Sequence, residues 1–186
     1  MAELRIKECV ISGVYEIAPF YAEDNRGIAV KEYDKVALEK RGIEFTPCES
    51  MIIESKKGVL RGVHFQIGDT QDKIVRCIKG KVWTVILDLR KNSKTLGEWI
   101  TVNINNGTEV YIPGGCALGT LAIEDSMILC MFGESYDGSR DSGIKWDDET
   151  LAIEWPLELI DCKVIVSNKD QSLRSFKEYI MTVVGK

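Results

Sequence analysis

The sequence contains a single histidine, His64, among its 186 residues. Sites that hold zinc or another transition metal through imidazole groups usually need two or three of them. The six cysteines are scattered and include no C-x-x-C pair, so they do not form a metal-binding pattern either. We therefore expect a site without a metal or other cofactor, and free thiols in a reducing compartment.

The sequence also lacks an excess of basic residues, because 24 Lys and Arg stand against 29 Asp and Glu. The net charge of -5 argues against a nucleic-acid partner, although a few well-placed cations suffice to bind a phosphate. No apolar run reaches the length of a membrane span, and the N-terminal residues MAELRIKE lack the apolar core of a signal peptide. We therefore expect a cytoplasmic protein without a membrane contact.

The chain does contain a succession of short β-strand patterns. Apolar runs rich in β-branched residues follow one another over residues 51–133, with turn signals at Lys79-Gly80 and Asn105-Asn106-Gly107. The segments YDKVALEKRG, with Asp34 as a cap, and DQSLRSFKEYIMTVV are typical of helices. The pattern predicts one all-β domain over residues 1–186, an antiparallel sandwich or barrel with minor helices.

His64 lies in the apolar, strand-like run GVLRGVHFQ. An isolated histidine in such a run is most often a packed core residue. A neutral imidazole near pH 7 is also the commonest general base, whereas the absence of further histidines argues against a metal ligand. The residue pattern by itself leaves the core and the base interpretations open.

Six segments occur in one order along the chain: LRGVHFQ, DKIVRCIKGKVW with LDLRKNSKTLGEW, YIPGGCALG, GIKWDD, AIEWP and VSNKD. In this order they resemble the dTDP-4-dehydrorhamnose 3,5-epimerase family, over about residues 10–175. The resemblance implies a cupin-type jelly-roll fold, a homodimer and a nucleotide-sugar substrate. Metal-binding cupins would carry further histidines at Gln66 and Leu118, so the resemblance also implies a metal-free site.

The resemblance assigns chemical roles to three residues. His64 matches the base that removes a proton next to a 4-keto group, where the carbanion delocalises onto O4 as an enolate. Asp170, in VSNKD, matches the aspartate that orients the imidazole. Lys73, in QDKIVR, matches the lysine that stabilises the oxyanion.

Three further residues match substrate-binding positions of the family. Arg61 corresponds to an arginine that contacts the substrate or its phosphates, and Arg26 to one that reaches the pyrophosphate site of the neighbouring subunit. Tyr136 stands where an aromatic residue often flanks the nucleotide sugar. Each cation alone would be interpreted as solvated surface charge, and their coincidence with motif positions favours the binding role.

The orientation of Arg61 relative to His64 depends on an irregularity of the strand. Two residues three positions apart face opposite sides of a regular strand. A local bulge at Gly62 would bring both side chains onto one face.

The sequence departs from the family pattern on the side of the site where the family has its proton donor. The family's catalytic tyrosine, the proton donor opposite the base, falls on Cys130, and a second family histidine is replaced by Leu118. The family's glutamine-x-asparagine-x-serine segment is replaced by ESMIIE, and an aromatic pair by Ile28-Ala29. Cys130 is either a thiol proton donor or a small buried apolar residue of the strand MILCMF.

The leading hypothesis is an epimerase that enolises a nucleotide-linked 4-keto-6-deoxyhexose at C3, C5 or both. The altered proton-donor side favours epimerisation at a single carbon, or a substrate other than the rhamnose precursor. One alternative is a 3,4-keto isomerase, in which one base moves a proton on a single face. The other is a non-catalytic protein that binds sugar nucleotides, against which His64, Lys73 and Asp170 together argue, because binding alone needs no oriented base.

Overall fold

The computed structural model describes residues 4–68, 70–105 and 107–184. The strands, in chain order, are β1 (Arg5–Glu8), β2 (Tyr15–Ala18), β3 (Phe20–Asp24), β4 (Gly27–Lys31), β5 (Glu49–Ser55), β6 (Val59–Gln66), β7 (Lys73–Lys79), β8 (Val82–Asp88), β9 (Trp99–Ile100), β10 (Glu109–Ile112), β11 (Cys116–Ala122), β12 (Ser126–Phe132), β13 (Asp141–Ile144) and β14 (Ile165–Val166). The helices are α1 (Lys35–Glu39), α2 (Asn168–Gln171), α3 (Phe176–Val184) and a 3₁₀ turn at Leu157–Leu159.

Two large sheets form the body of the molecule. Sheet I has the order β1-β2-β10-β7-β12-β5, and sheet II has the order β13-β6-β11-β8-β9 with β14 parallel to β6. Strands β3 and β4 form a separate two-stranded hairpin. Apart from the β14–β6 pair, the strand pairs are antiparallel, and the predicted all-β class with minor helices is confirmed.

The alternation of side chains along β7 shows how sheet I separates two apolar clusters. Val75 is fully buried in the cluster between the sheets, together with Ile86 of β8 in sheet II. Its neighbour Ile74 faces the other side, where Leu38 of α1 and Phe45 cover the sheet. The third cluster includes Tyr179 of α3 among the residues packed on sheet II. Apolar layers on both sides of each sheet hold the strands in a fixed register.

Several local predictions can be compared with the structure. The Asp34 side chain accepts a hydrogen bond from the Ala37 N–H, which is the predicted helix cap. Gly80, with a φ of +75°, lies in the tight turn between β7 and β8, as its hairpin signal indicated. The other hairpin signal includes Asn106, which lies outside the described residues.

The run EWITVNI, predicted as a strand, is a strand only at Trp99–Ile100. Beyond it the chain pairs with β8 through side chains: the Thr84 hydroxyl donates to the Val102 carbonyl, and the Asn105 amide bonds both backbone groups of Val82. Side-chain partners replace the regular backbone ladder there. The C-terminal segment likewise contains the end of α2 and then α3 rather than one helix. No described helix is long and apolar enough to cross a bilayer.

Candidate active site

The bulge that would align Arg61 with His64 is present in β6. The pairing of β6 with β11 shifts register between two residue pairs: Leu118 pairs with His64, and Thr120 pairs with Arg61. Three positions on β6 therefore span two positions on β11, and both side chains line the same cavity. At the bulge, a Cβ on Gly62 would lie 3.2 Å from Leu173 Cδ1, so a side chain there would crowd the C-terminal segment.

His64 and Asp170 form a hydrogen-bonded pair. The imidazole Nε2 lies 3.0 Å from Asp170 Oδ1, and the other carboxylate oxygen accepts the Gly62 N–H at 2.7 Å. An ionised carboxylate can only accept, so Nε2 donates and Nδ1 remains as the nitrogen that can take up a proton. The pair therefore has the geometry of a histidine base whose imidazole is oriented by a carboxylate.

The local sequence explains why Asp170 reaches β6. Strand β14 pairs in parallel with the start of β6, and the Ser167 hydroxyl then caps α2 by accepting the Asp170 N–H. Burial alone would raise the pKa of Asp170, but the Gly62 N–H and the nearby His64 lower it overall. The ionised carboxylate is thus the buried side chain of a short helix whose other residues are exposed.

A cavity of about 220 Å³ lies between the two sheets and contains five of the seven predicted site residues. These five are Arg61, His64, Lys73, Cys130 and Tyr136. His64 reaches the cavity from β6 of sheet II, and Cys130 reaches it from β12 of sheet I. The candidate base and the candidate acid therefore stand on opposite walls.

Lys73 is a buried cation at the start of β7, with 5% of its surface exposed. Burial lowers its pKa, and the influence of the neighbouring Cys130, Cys116, Asp141 and Asp72 offsets only part of this effect. An anionic oxygen in the cavity would compensate the desolvated ammonium group. Lys73 is thus placed to bind an oxyanion that develops between the sheets.

Arg61 lines the cavity, and its guanidinium is hydrogen-bonded to two neutral groups. Its guanidinium donates to the Ser55 hydroxyl at 3.1 Å and to the Glu54 carbonyl at 3.0 Å. Both acceptors are neutral, so these bonds orient the group without balancing its charge. The guanidinium is therefore suited to an anionic ligand such as a phosphate.

Cys130 is buried, with 3% of its surface exposed. Burial raises the pKa of its thiol to about 11, although Lys73 and Arg61 act in the opposite direction. The residue therefore carries its proton at neutral pH, which a proton donor requires. It also packs in the apolar cluster between the sheets, so the structure agrees with both interpretations of this cysteine.

The family model described as dTDP-4-dehydrorhamnose 3,5-epimerase matches residues 8–178. The chain belongs to the dTDP-4-dehydrorhamnose 3,5-epimerase family. It is 39% identical over 183 residues to the enzyme of that name from Methanothermobacter thermautotrophicus, covering 96% of this chain and 97% of the relative. The predicted enzyme class, a nucleotide-sugar epimerase, is confirmed.

Solved structures of the family have the same fold. NovW, a 4-keto-6-deoxy sugar epimerase from Streptomyces spheroides, superposes with a TM-score of 0.87 and 30% identity, over 98% of this chain and 92% of its own. A 3,5-epimerase of Legionella pneumophila, in complex with dTDP-4-keto-L-rhamnose, gives a TM-score of 0.87 and 28% identity, over 94% of each chain. The predicted cupin-type jelly roll is confirmed.

Tyr136 lies at the mouth of the cavity in this family member. Its phenol donates to Asp141 Oδ2 at 3.0 Å, its backbone N–H donates to Glu49 Oε2 at 3.1 Å, and Lys169 also pairs with Asp141. Asp141 lines the cavity and was not singled out from the sequence. Its position just before the GIKWDD motif was the available signal.

Arg26 lies apart from the other candidate residues. It occupies the turn of the β3–β4 hairpin, where it pairs with Asp24 at 2.6 Å and leaves 86% of its side chain exposed. It does not line the cavity of its own chain. The structure thus separates Arg26 from the site that contains His64.

The two positions where metal-binding cupins carry further histidines have other roles here. The Gln66 side chain exchanges two hydrogen bonds with the backbone of Asp137, and Leu118 adds an apolar side chain to the cavity. Within the described ranges, no three His, Cys, Asp or Glu side chains form a group that could hold a metal ion.

Proposed function

We propose that this enzyme epimerises a dTDP-linked 4-keto-6-deoxyhexose at C3, at C5 or at both, with His64 as the base. The observation that carries the proposal is the position of His64 and Cys130 on opposite walls of one cavity. Inversion of a carbon centre requires a proton to leave from one face and another to arrive on the opposite face.

Each step of the reaction has a residue in the cavity. His64, oriented by Asp170, removes the proton from the carbon next to the ketone, and the electron pair of the C–H bond moves to O4. The Lys73 ammonium group donates to the O4 oxyanion. The Cys130 thiol gives its proton to the opposite face of the enolate, and solvent restores the two protonation states. Arg61 binds the diphosphate, because its charge has no carboxylate partner in the contacts it makes.

The choice of dTDP rests on the names of similar proteins. The Methanothermobacter relative and the Legionella complex both concern dTDP-linked 4-keto sugars. Incubation of the protein with dTDP-4-keto-6-deoxyglucose in D₂O tests the proposal, with NMR used to locate deuterium. Deuterium at C3 or C5 with inverted configuration is expected. A moved ketone without inversion would indicate a 3,4-keto isomerase, and saturable binding without exchange would indicate a binding protein.

Replacement of Cys130 by alanine separates its two interpretations. If the thiol is the donor, Cys130→Ala should leave C–H exchange running and stop inversion, because the enolate then regains a proton only on the His64 side. Cys130→Ser, which keeps a hydroxyl proton, should restore part of the inversion. The measurement is the ratio of inverted to retained deuterated product. An unchanged ratio at a full exchange rate would assign Cys130 to the core instead.

We also propose that the enzyme is a homodimer in which the β3–β4 hairpin reaches the partner's site. The support is the position of Arg26, exposed on a hairpin that lies away from its own cavity. Light scattering at micromolar concentration should give twice the 20.9 kDa mass of the chain. Arg26→Ala should weaken nucleotide binding and leave this mass unchanged; a monomer would contradict the proposal. We also propose that the enzyme is cytoplasmic, because its free cysteines suit a reducing compartment.

A further inference from the structure

The loop over residues 133–140, which we call the mouth loop, joins β12 to β13 and carries Tyr136 at the entrance of the cavity. It consists of turns and irregular backbone, and several of its backbone groups bond to side chains of other segments. Two of these partners are Gln66 and Gln71, with 4% and 6% of their surface exposed. Both also line the cavity, so their amides stand between the mouth loop and the site.

The Gln66 amide holds the mouth loop at Asp137 through two hydrogen bonds. Its Nε2 donates to the Asp137 carbonyl at 3.1 Å, and its Oε1 accepts the Asp137 N–H at 3.2 Å. This exchange resembles a pair of ladder bonds between antiparallel strands, and the Gln66 backbone already pairs with Asp141 of β13. Gln66 lies two positions after His64 and faces the same cavity. The strand that carries the base therefore also fixes the residue next to Tyr136.

Gln71 holds the first part of the mouth loop. Its Nε2 donates to the Glu134 carbonyl at 3.2 Å. The Glu134 carboxylate in turn accepts from the Thr70 hydroxyl and, at 3.1 Å, from the Arg140 guanidinium. The loop is thus attached by buried amides on both sides of Tyr136.

The chemistry of an amide suits this position. Tyr136 is also bonded to the carboxylates of Glu49 and Asp141, which can only accept when ionised. The Gln66 amide donates and accepts at once, and it adds no charge on the strand face that carries His64. Gln66 can therefore satisfy both backbone groups of one loop residue without altering the charge beside the base.

We propose that Gln66 and Gln71 are positioning residues, which hold the mouth loop so that Tyr136 contacts the bound nucleotide sugar. This inference rests on the proposed function, because it takes Tyr136 as part of the binding surface. Without an amide bond, the loop is displaced in a fraction of the molecules, and the apparent affinity falls with the fraction that remains competent. The exchange rate at saturation should persist, because Asp170 orients His64.

Methionine variants test the two amides, because methionine is similar in size to glutamine and lacks the amide. Each lost hydrogen bond weakens an attachment by roughly 2- to 10-fold, so we expect Gln66→Met to raise KM for dTDP-4-keto-6-deoxyglucose by about 3- to 10-fold and Gln71→Met by less, with kcat for C–H exchange within about twofold of the wild type. The two sites are separate, so failure of one variant to fold leaves the other as the test. Unchanged KM in the folded variants, or a loss confined to kcat, would overturn the proposal.

Gln171→Met is the matched control for these variants. The Gln171 amide also donates to a backbone carbonyl, that of Val166 at 3.1 Å, but the residue is exposed and does not line the cavity. Its loss should leave KM for the nucleotide sugar unchanged. A rise in KM equal to that of Gln66→Met would mean that the effect is not specific to the mouth loop, and would overturn the proposal.

A double-mutant cycle shows whether Gln66 acts through Tyr136. Tyr136→Ala should itself raise KM, and Gln66→Met should then add little, because the side chain that it positions is already absent. Effects that add in full would show that Gln66 acts independently of Tyr136 and would overturn the proposal.

Amide hydrogen exchange of residues 133–140 tests the attachment without any substrate. It should be faster in Gln66→Met and Gln71→Met than in Gln171→Met or the wild type, because weakly attached segments open more often. Equal exchange in all four proteins would overturn the proposal. A wild type that neither binds dTDP nor exchanges C–H protons would instead overturn the proposed function, whereas faster exchange in the two variants would still support the attachment of the loop by the amides.

Discussion

Replacement of His64 by asparagine is expected to lower the rate of C–H exchange by about 10²- to 10⁴-fold, the usual contribution of a general base. Asparagine can still bond to Asp170 but cannot accept a proton from carbon. The Asp170 carboxylate therefore keeps a hydrogen-bond donor, and the buried charge is not left unpaired. The measurement is deuterium incorporation from D₂O into a saturating 4-keto substrate.

The expected loss must come from chemistry and not from unfolding or weakened binding. His64 is partly exposed to the cavity, so His64→Asn should unfold within a few degrees of the wild type and bind dTDP with similar affinity. Thermal unfolding and calorimetric titration with dTDP check these two points. Exchange at the wild-type rate in this variant would return His64 to the role of a core residue.

Asp170→Asn is expected to reduce exchange by about 10²- to 10⁴-fold, as loss of the orienting carboxylate does in comparable histidine systems. The amide oxygen can still accept the Gly62 N–H, so the bulge should persist. The amide nitrogen then donates to His64 Nε2, which moves the imidazole proton to Nδ1 and removes the free basic nitrogen. The ring also loses the negative charge that balances its protonated form.

Asp161→Asn is the matched control for this variant. Asp161 carries the same functional group in the same part of the chain, but its side chain is 86% exposed and pairs with Lys57 outside the cavity. The rate of C–H exchange in the Asp161→Asn variant should equal that of the wild type. If Asp170→Asn lowered the melting temperature strongly while exchange per folded molecule stayed constant, Asp170 would have a structural role only.

The sequence predicted those features that depend on local periodicity. Alternating apolar residues indicated the strands, and the odd spacing of Arg61 and His64 showed that they share a face only if the strand contains a bulge. The pairing of His64 with Asp170 came only from family resemblance. No local rule connects two residues 106 positions apart.

The missed features depend on tertiary contacts. Residues 101–104 read as a strand, yet the hydroxyl of Thr84 and the amide of Asn105 take the place of the regular ladder. Asp141 lies just before the GIKWDD motif, but its role at the cavity mouth depends on Tyr136 and Lys169 meeting it there. The proximity of Met51 to Cys130 could not be recognised before the β5–β12 register was known, because that register makes them neighbours.

The position of Asp170 has a consequence for how the enzyme acquires activity during folding. Its carboxylate joins the C-terminal segment to the N–H of Gly62 at the bulge and to the imidazole of His64. Strands β5 to β12 all lie before residue 133, so none of them contains this carboxylate. Closing so long a loop is among the entropically costly steps of folding. Catalysis therefore depends on docking of the C-terminal segment, and a chain with a closed barrel but an undocked C-terminal segment has an unoriented base.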